Sequence, residues 1–109
     1  MRRGDIVTVA APGDYGKPRP AVVVQTDAFP AAHESVIVCP MTSGLVDAPD
    51  FRIVVDPGAA TGLRAPSQIM VDKPVALHRR RIGKVIGRLD PDATRRLNAA
   101  LAFVLGLAD

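Results

Sequence analysis

Apolar residues recur along this chain with a two-residue rhythm or in short continuous runs up to about residue 89, and with a helical rhythm after it. Asp5-Ile6-Val7-Thr8-Val9-Ala10 mixes polar and apolar positions as a half-buried strand does, and Ala11-Pro12-Gly13-Asp14-Tyr15-Gly16 then reads as an exposed turn. Ala21-Val22-Val23-Val24-Gln25-Thr26 and Ser35-Val36-Ile37-Val38-Cys39 are nearly continuous β-branched runs. That composition suits strands covered on both faces, so these two are the expected central strands. Pro40-Met41-Thr42-Ser43-Gly44 ends the second of them. Phe51-Arg52-Ile53-Val54-Val55 is a further strand, stopped by Asp56-Pro57-Gly58. Ser67-Gln68-Ile69-Met70-Val71-Asp72 is strand-like in either phase until Lys73-Pro74 interrupts it, and Ile82 to Leu89 is a last extended segment. Gly83 and Gly87 within it mark bulges or a close backbone approach.

Asp90-Pro91-Asp92 combines an N-cap, a proline at the first helical position and a carboxylate at the positive end of a helix dipole. Leu97, Leu101, Val104 and Ala108 follow at helical spacing, with Ala93 and Ala100 on the same side. Several short strands and one terminal helix predict a mainly β fold, a small barrel or curled sheet packed by that helix.

Composition adds compartment and charge. The chain has 109 residues, enough for one hydrophobic core, so a single domain over 1–109 is expected. With 48% hydrophobic and 23% charged residues it does not read as disordered. Met1-Arg2-Arg3 is followed at once by Gly4 and Asp5 rather than by an apolar run, so neither an export signal nor a membrane span is expected. The lone Cys39 lies in an apolar run and reads as a buried, reduced thiol, which fits a cytoplasmic protein. The net charge of +3 is uneven: Met1 to Asp50 carries four basic and six acidic residues, Phe51 to Asp109 ten and five. Arg79-Arg80-Arg81, with Lys73, Lys84 and Arg88, is either a patch for a polyanion or a solvated loop.

Most familiar chemistries find no match. His33 and His78 are far apart with no cysteine or carboxylate at ligand spacing, so they read as structural or exposed, and no metal or other cofactor is expected. There is no Gly-x-Ser-x-Gly elbow and no Walker-type loop. What remains is Arg19, held between Pro18 and Pro20, and the polar pair Thr42-Ser43 at the end of a buried strand. The prolines restrict the backbone on either side of the arginine. If the two central strands pair antiparallel around the Phe29 to Glu34 connection, Arg19 and Thr42 share one rim. A guanidinium binds phosphate bidentately and stabilises added negative charge, which is the chemistry of phosphoryl transfer. A plain surface loop is the alternative. Tyr15, the sole tyrosine, is the candidate platform for stacking a base, or is merely exposed, whereas Phe29, Phe51 and Phe103 are expected to pack.

Arg3-Gly4-Asp5-Ile6-Val7, Gly16-Lys17-Pro18-Arg19-Pro20-Ala21-Val22-Val23-Val24 and Pro40-Met41-Thr42-Ser43 resemble the MazF/PemK family of toxins. Ser67 to Lys73, Arg81-Ile82-Gly83 and Ile86 to Asp90 resemble its later segments in the same order. The resemblance implies an SH3-like small barrel of the CcdB/MazF type with a C-terminal helix, forming a homodimer. It also implies a growth-inhibiting toxin of a toxin-antitoxin module, blocked by a cognate antitoxin. Such enzymes are sequence-specific, metal-independent endoribonucleases that cut single-stranded RNA by 2′-hydroxyl attack, leaving 2′,3′-cyclic phosphate and 5′-hydroxyl ends. Carried over, Arg19 is the catalytic arginine and Thr42 the catalytic hydroxyl, while Lys17, Ser43, Gln68, Asp72 and Lys73 contact RNA.

Two departures are specific to this chain. Met70 stands where some members have a second arginine, and Pro12 to Lys17 lacks the histidine some carry in the first loop. Charge stabilisation then falls to Arg19 alone, with leaving-group protonation within its reach, and Thr42 positions the phosphate or the attacking hydroxyl. The basic second half suits an acidic, largely disordered antitoxin as well as RNA. Two rivals share the barrel. A CcdB-like gyrase-binding toxin depends on aromatic and C-terminal contacts, yet this chain has no tryptophan and ends Leu105-Gly106-Leu107-Ala108-Asp109. A non-catalytic SH3-like binding module would use the polar rim only for docking.

Overall fold

The computed structural model describes residues 1–10, 17–107 and 109, so the expected 11–16 turn, with Tyr15, and Ala108 lie outside the described residues. Seven strands and one helix are found among them: β1 (Asp5–Val9), β2 (Arg19–Val23), β3 (Ser35–Thr42), β4 (Arg52–Val55), β5 (Ser67–Met70), β6 (Val75–His78), β7 (Ile82–Arg88) and α1 (Pro91–Val104). Every pairing is antiparallel, in the order β4-β5-β3-β2-β1-β7, with β6 on the remaining stretch of β3.

The β-branched runs explain the architecture. Ala21, Val22 and Val23 are all buried, as a strand covered on both faces requires; in β3 Val36, Val38 and Cys39 are buried but Ile37 is 38% exposed, because the second cluster covers that face only from Cys39 onward. One face of the neighbouring strands β1, β2, β3 and β6 supplies Val7, Val9, Ala21, Val23, Val36, Val38 and Leu77 to a single cluster, with Ile82 of β7 against it. Five strands closing on one cluster form the barrel. The other face contributes Ile6, Val22, Cys39 and Met41 to a second cluster with Ile53, Ile69 and the helix residues Ala93, Leu97 and Ala100. The helix starts as its sequence dictates: Asp90 accepts the Ala93 N–H at 2.7 Å, and Pro91 is its first residue. Truncating Leu97, fully buried in that second cluster, to alanine removes about 2–5 kcal/mol.

Several boundaries differ from expectation, each for a physical reason. β2 begins two residues early, at Arg19, because Arg19 and Pro20 already pair with Val9 and Thr8. It stops at Val23 because the Val24 and Gln25 N–H groups both turn onto the Ile37 carbonyl, at 3.0 and 3.3 Å. β3 does not end at Cys39 but runs through Pro40 to Thr42. The polar groups of Ile37 face β2, so by alternation those of Pro40 face the opposite edge, where β6 stops at Val38 and β5 begins at Met41. A proline there removes no ladder bond. β5 stops at Met70 rather than Asp72, and β6 was not expected at all: of Val75-Ala76-Leu77-His78 only Leu77 is buried.

Gly87 behaves as its position implies. Ile6 pairs with Gly87 and Val7 with Val85, leaving Ile86 as the extra residue of a bulge. A Cβ on Gly87 would collide with the backbone of Thr61, and Arg88 N donates to Ala60 O at 2.9 Å on the same crossing loop.

Candidate active site at the mouth of the barrel

β2 and β3 pair antiparallel with Ala21 opposite Pro40, and extending that register by two residues sets Arg19, at the start of β2, against Thr42, at the end of β3. Both positions fall on the face that carries Ala21, Val23 and Val38, so the two side chains meet at the open end of the barrel cluster. Opposed positions hold Cβ atoms about 4.5–5.5 Å apart. Arg19 is exposed and Thr42 half-buried, and both line one cavity of about 310 Å³. Its other walls are Val9, Val38, Pro40, Met41, Met70, Val75 and Leu77. A guanidinium and a hydroxyl converging on one cavity offer several hydrogen-bond donors, a set able to bind a phosphate. A larger cavity, about 470 Å³, lies between α1 and β4 and holds neither residue.

The backbone fixes this placement. Arg19 is tied to Val9 of β1, and Thr42 is tied to Gln68 of β5. The Thr42 Oγ1 accepts the Gly44 N–H at 3.0 Å, which leaves its own hydrogen free in direction to be donated into the cavity.

The remaining predicted residues fall into different surroundings. Lys17 and Ser43 are exposed beside Arg19 and Thr42, respectively, along the chain. Asp72 and Lys73 pair at 2.7 Å on the turn after β5, outside the cavity lining. The Lys73 hydrogen bond and charge hold the Asp72 carboxyl below its usual 3.8. A carboxylate so stabilised is a poor proton acceptor at neutral pH. Gln68, expected to contact RNA, is 4% exposed, and its amide is taken up by Val46 and Arg52. Tyr15 lies outside the described residues.

Other sequence readings resolve here. Burial pushes the Cys39 thiol up to about 11, leaving it protonated and inert. Phe29 and Phe103 do not pack as expected: they are 46% and 56% exposed, and the Phe29 ring stacks on His33 at 4.4 Å. The arginine triplet is neither a simple patch nor a loose loop. It forms a 3₁₀ turn in which Arg79 Nε donates to His33 O at 2.8 Å and Arg81 Nη1 to Ala10 O at 3.0 Å, while Arg80 is exposed. Lys73 and Arg88 pair with Asp72 and Asp5. Among the described residues no three His, Cys, Asp or Glu side chains cluster as metal ligands would, and no helix is long and apolar enough to cross a membrane. Met70, which stands where some family members have a second arginine, is one of the walls; nothing in the sequence signalled the walls Val75 and Leu77, since a pocket built from alternate residues of separate strands leaves no local motif.

The fold is a small antiparallel barrel packed by a C-terminal helix, with an arginine and a threonine at its mouth. Residues 2–105 match the family described as PemK-like, MazF-like toxin of type II toxin-antitoxin systems, and the chain belongs to that family. It is 45% identical over 109 residues to a protein of Mycolicibacterium smegmatis named probable endoribonuclease MazF, covering 99% of each. Its fold is that of the Mycobacterium tuberculosis toxin MazF-mt6, with a TM-score of 0.80 at 22% identity over 94% of this chain and 96% of that one. A mycobacterial endoribonuclease in complex with its cognate antitoxin is equally similar, with a TM-score of 0.80 at 21% identity over 98% and 96%.

Proposed function

We propose that this MazF-like toxin endoribonuclease cuts single-stranded RNA at the Arg19–Thr42 rim. The observation that carries the reading is the convergence of those two side chains, from two strands, on one otherwise apolar cavity. In the proposed reaction a ribose 2′-oxygen attacks the adjacent phosphorus and the bond to the 5′-oxygen breaks, giving a 2′,3′-cyclic phosphate and a 5′-hydroxyl. The 2′-hydroxyl proton leaves to a base, and the departing 5′-oxygen gains one. Arg19 binds the phosphate through its forked N–H groups and stabilises the negative charge added as the phosphorane forms. A guanidinium is too weakly acidic to serve as the base. Thr42 donates its hydrogen to a phosphate oxygen or orients the attacking hydroxyl. Met70 offers the phosphate no second cation within the cavity.

The proposed chemistry is metal-independent, as the family resemblance implies, with the added negative charge met by Arg19 and Thr42. Exposed Lys17 and Ser43, together with the Asp72–Lys73 turn, extend the RNA path on either side of the rim, and Tyr15 is the proposed stacking platform. The single domain of 1–109 works as a homodimer in the cytoplasm and is silenced by a cognate antitoxin that competes for the same rim.

The test is to incubate the purified, antitoxin-free protein with a long single-stranded RNA in excess EDTA, beside Arg19→Ala and Thr42→Ala. Discrete cuts ending in cyclic phosphate, lost in both variants, are expected. A folded preparation that does not cut, or two variants that cut as the parent does, overturns the reading. Inhibition of gyrase supercoiling in a parallel reaction would shift the assignment to a gyrase-binding toxin.

A further inference from the structure

Beyond Thr42 the chain leaves β3 and runs as an irregular, exposed stretch from Ser43 to Asp47. Such a stretch has no ladder to hold its backbone, so its position depends on side chains that reach it. Gln68 reaches it from behind. It stands opposite Thr42 in the β3–β5 ladder, and its amide engages Val46 twice. Nε2 donates to the Val46 carbonyl at 2.8 Å, and Oε1 accepts the Val46 N–H at 3.1 Å. One side chain thus supplies the two bonds a neighbouring strand would make.

This grip works in only one orientation of the amide. Flipped, the NH₂ would face the Val46 N–H and the oxygen would face the carbonyl. Arg52, from the adjacent β4, fixes the choice: its Nη1 donates to Gln68 Oε1 at 3.3 Å. The β4–β5 register, with Arg52 opposite Met70 and Val54 opposite Gln68, brings the guanidinium to that oxygen. Arg52 holds this position although its Nε is buried with no hydrogen-bond partner. Leaving a donor unsatisfied is unfavourable, so the placement of the rest of the group must outweigh it.

We propose that Gln68 and Arg52 are positioning residues for RNA cleavage: Gln68 clamps Val46, Arg52 sets the orientation of the clamp, and together they hold the Thr42–Val46 stretch so that Ser43 and the Thr42 hydroxyl face the scissile phosphate. The inference rests on the cleavage reading above. It goes beyond that reading in giving Gln68 an indirect role and in assigning Arg52 one.

Three variants separate the roles. Gln68→Glu keeps the shape but sets a second carboxylate oxygen against the Val46 carbonyl, and that acceptor–acceptor repulsion pushes Val46 away and loosens both of its bonds. Arg52→Met removes the orienting donor, and Arg52→Lys retains one. In Gln68→Glu the Val46 amide should exchange its hydrogen about tenfold faster or more while that of Val22, in the barrel, is unchanged. On a defined RNA, kcat should fall about ten- to a hundredfold with a much smaller change in KM, because a displaced group slows the step more than it weakens binding. Ser43→Ala should slow the parent yet add little in the Gln68→Glu background, since a displaced serine has nothing left to lose. Arg52→Met should act in the same direction, and Arg52→Lys should lose less. Unchanged Val46 exchange, an equal rise at Val22, or full additivity with Ser43→Ala overturns the proposal. If Arg19→Ala and Thr42→Ala are inactive while Gln68→Glu cuts normally, this inference fails and the cleavage reading stands. If the parent does not cut RNA, both fail.

Discussion

Asp5 ties the start of the chain to the end of β7, and replacing it with asparagine tests how strongly. Its side chain is 10% exposed and accepts two hydrogen bonds at 2.7 Å, from the Arg2 N–H and from Arg88 Nη1, joining the start of the chain and β1 to the end of β7. Burial alone would raise its carboxyl, but the Arg2 N–H bond and the bond and charge of Arg88 outweigh it and hold the group below its ordinary 3.8. Asp5→Asn keeps one acceptor and turns an NH₂ against a donor. A bond to a charged group contributes about 1.5–3 kcal/mol. The Arg88 side chain is 46% exposed, so its share belongs at the low end, and the combined loss comes to about 2 kcal/mol. A depressed pKa in the fold means that this stabilisation is fully present above pH 3.8 and fades as pH falls through the lower folded value. Urea unfolding of parent and variant should therefore show a gap of about 2 kcal/mol at neutral pH that narrows below pH 3.8, with unchanged m-values. A neutral-pH gap under about 0.5 kcal/mol, the size of an ordinary surface substitution, would refute the reasoning. So would a gap undiminished in strong acid.

Three further outcomes follow from the geometry. Gly87→Ala should lower stability by about 1–3 kcal/mol in thermal or urea unfolding, because its Cβ meets the Thr61 backbone, which has no rotamer to change. Cys39 should resist a thiol-specific reagent in the folded protein and label rapidly in denaturant. With its folded pKa raised from 9.0 to about 11, stability should decline as pH rises through that interval. Arg19→Lys keeps the charge but loses the fork, so single-turnover cleavage should slow about ten- to a hundredfold, less than in Arg19→Ala.

The strands that read most clearly in the sequence are those buried on both faces. Val22 has apolar neighbours on each side in the chain because each face of β2 has a cluster to enter, whereas Ile37, beside Val38, enters neither cluster and is exposed. The helix was equally plain, since Asp90 and Pro91 announce it locally and Leu97 fixes its buried face. β6 was hidden for the opposite reason: only Leu77 is buried, so no alternation exists to detect, and the pairing with β3 is stabilised mainly through the backbone. Pro40 misled because a proline normally ends a strand. It is tolerated here by a gap between two partner strands, and that is a property of the sheet rather than of the segment. Phe29 and Phe103 misled because composition treats an aromatic as core by default, while these two line open surface cavities and remain 46% and 56% exposed.

The site's location follows from the same double burial. A polymer such as RNA cannot reach side chains on strands covered on both faces, so chemistry on β2 and β3 has to lie where their ladder ends. One end is sealed: Gln25, 8% exposed, donates to the Ser35 carbonyl at 3.1 Å and accepts the Ile37 N–H at 3.2 Å, finishing the pairing with its own side chain. The other end is not closed in that way. There Arg19 and Thr42 lie two residues beyond the last pair of the ladder, Ala21 and Pro40, and the cavity they line leads inward to Val9, Val38, Met41 and Leu77. The prolines around Arg19 and the polar step after Cys39-Pro40-Met41 marked this end in the sequence. That Gln68 and Arg52 brace it could not be read there, because residues 46, 52 and 68 share no spacing and meet only once β4 and β5 have paired. The polar ends of a doubly buried strand pair name where a reaction can occur, whereas the groups that hold those ends in place become visible only in the sheet.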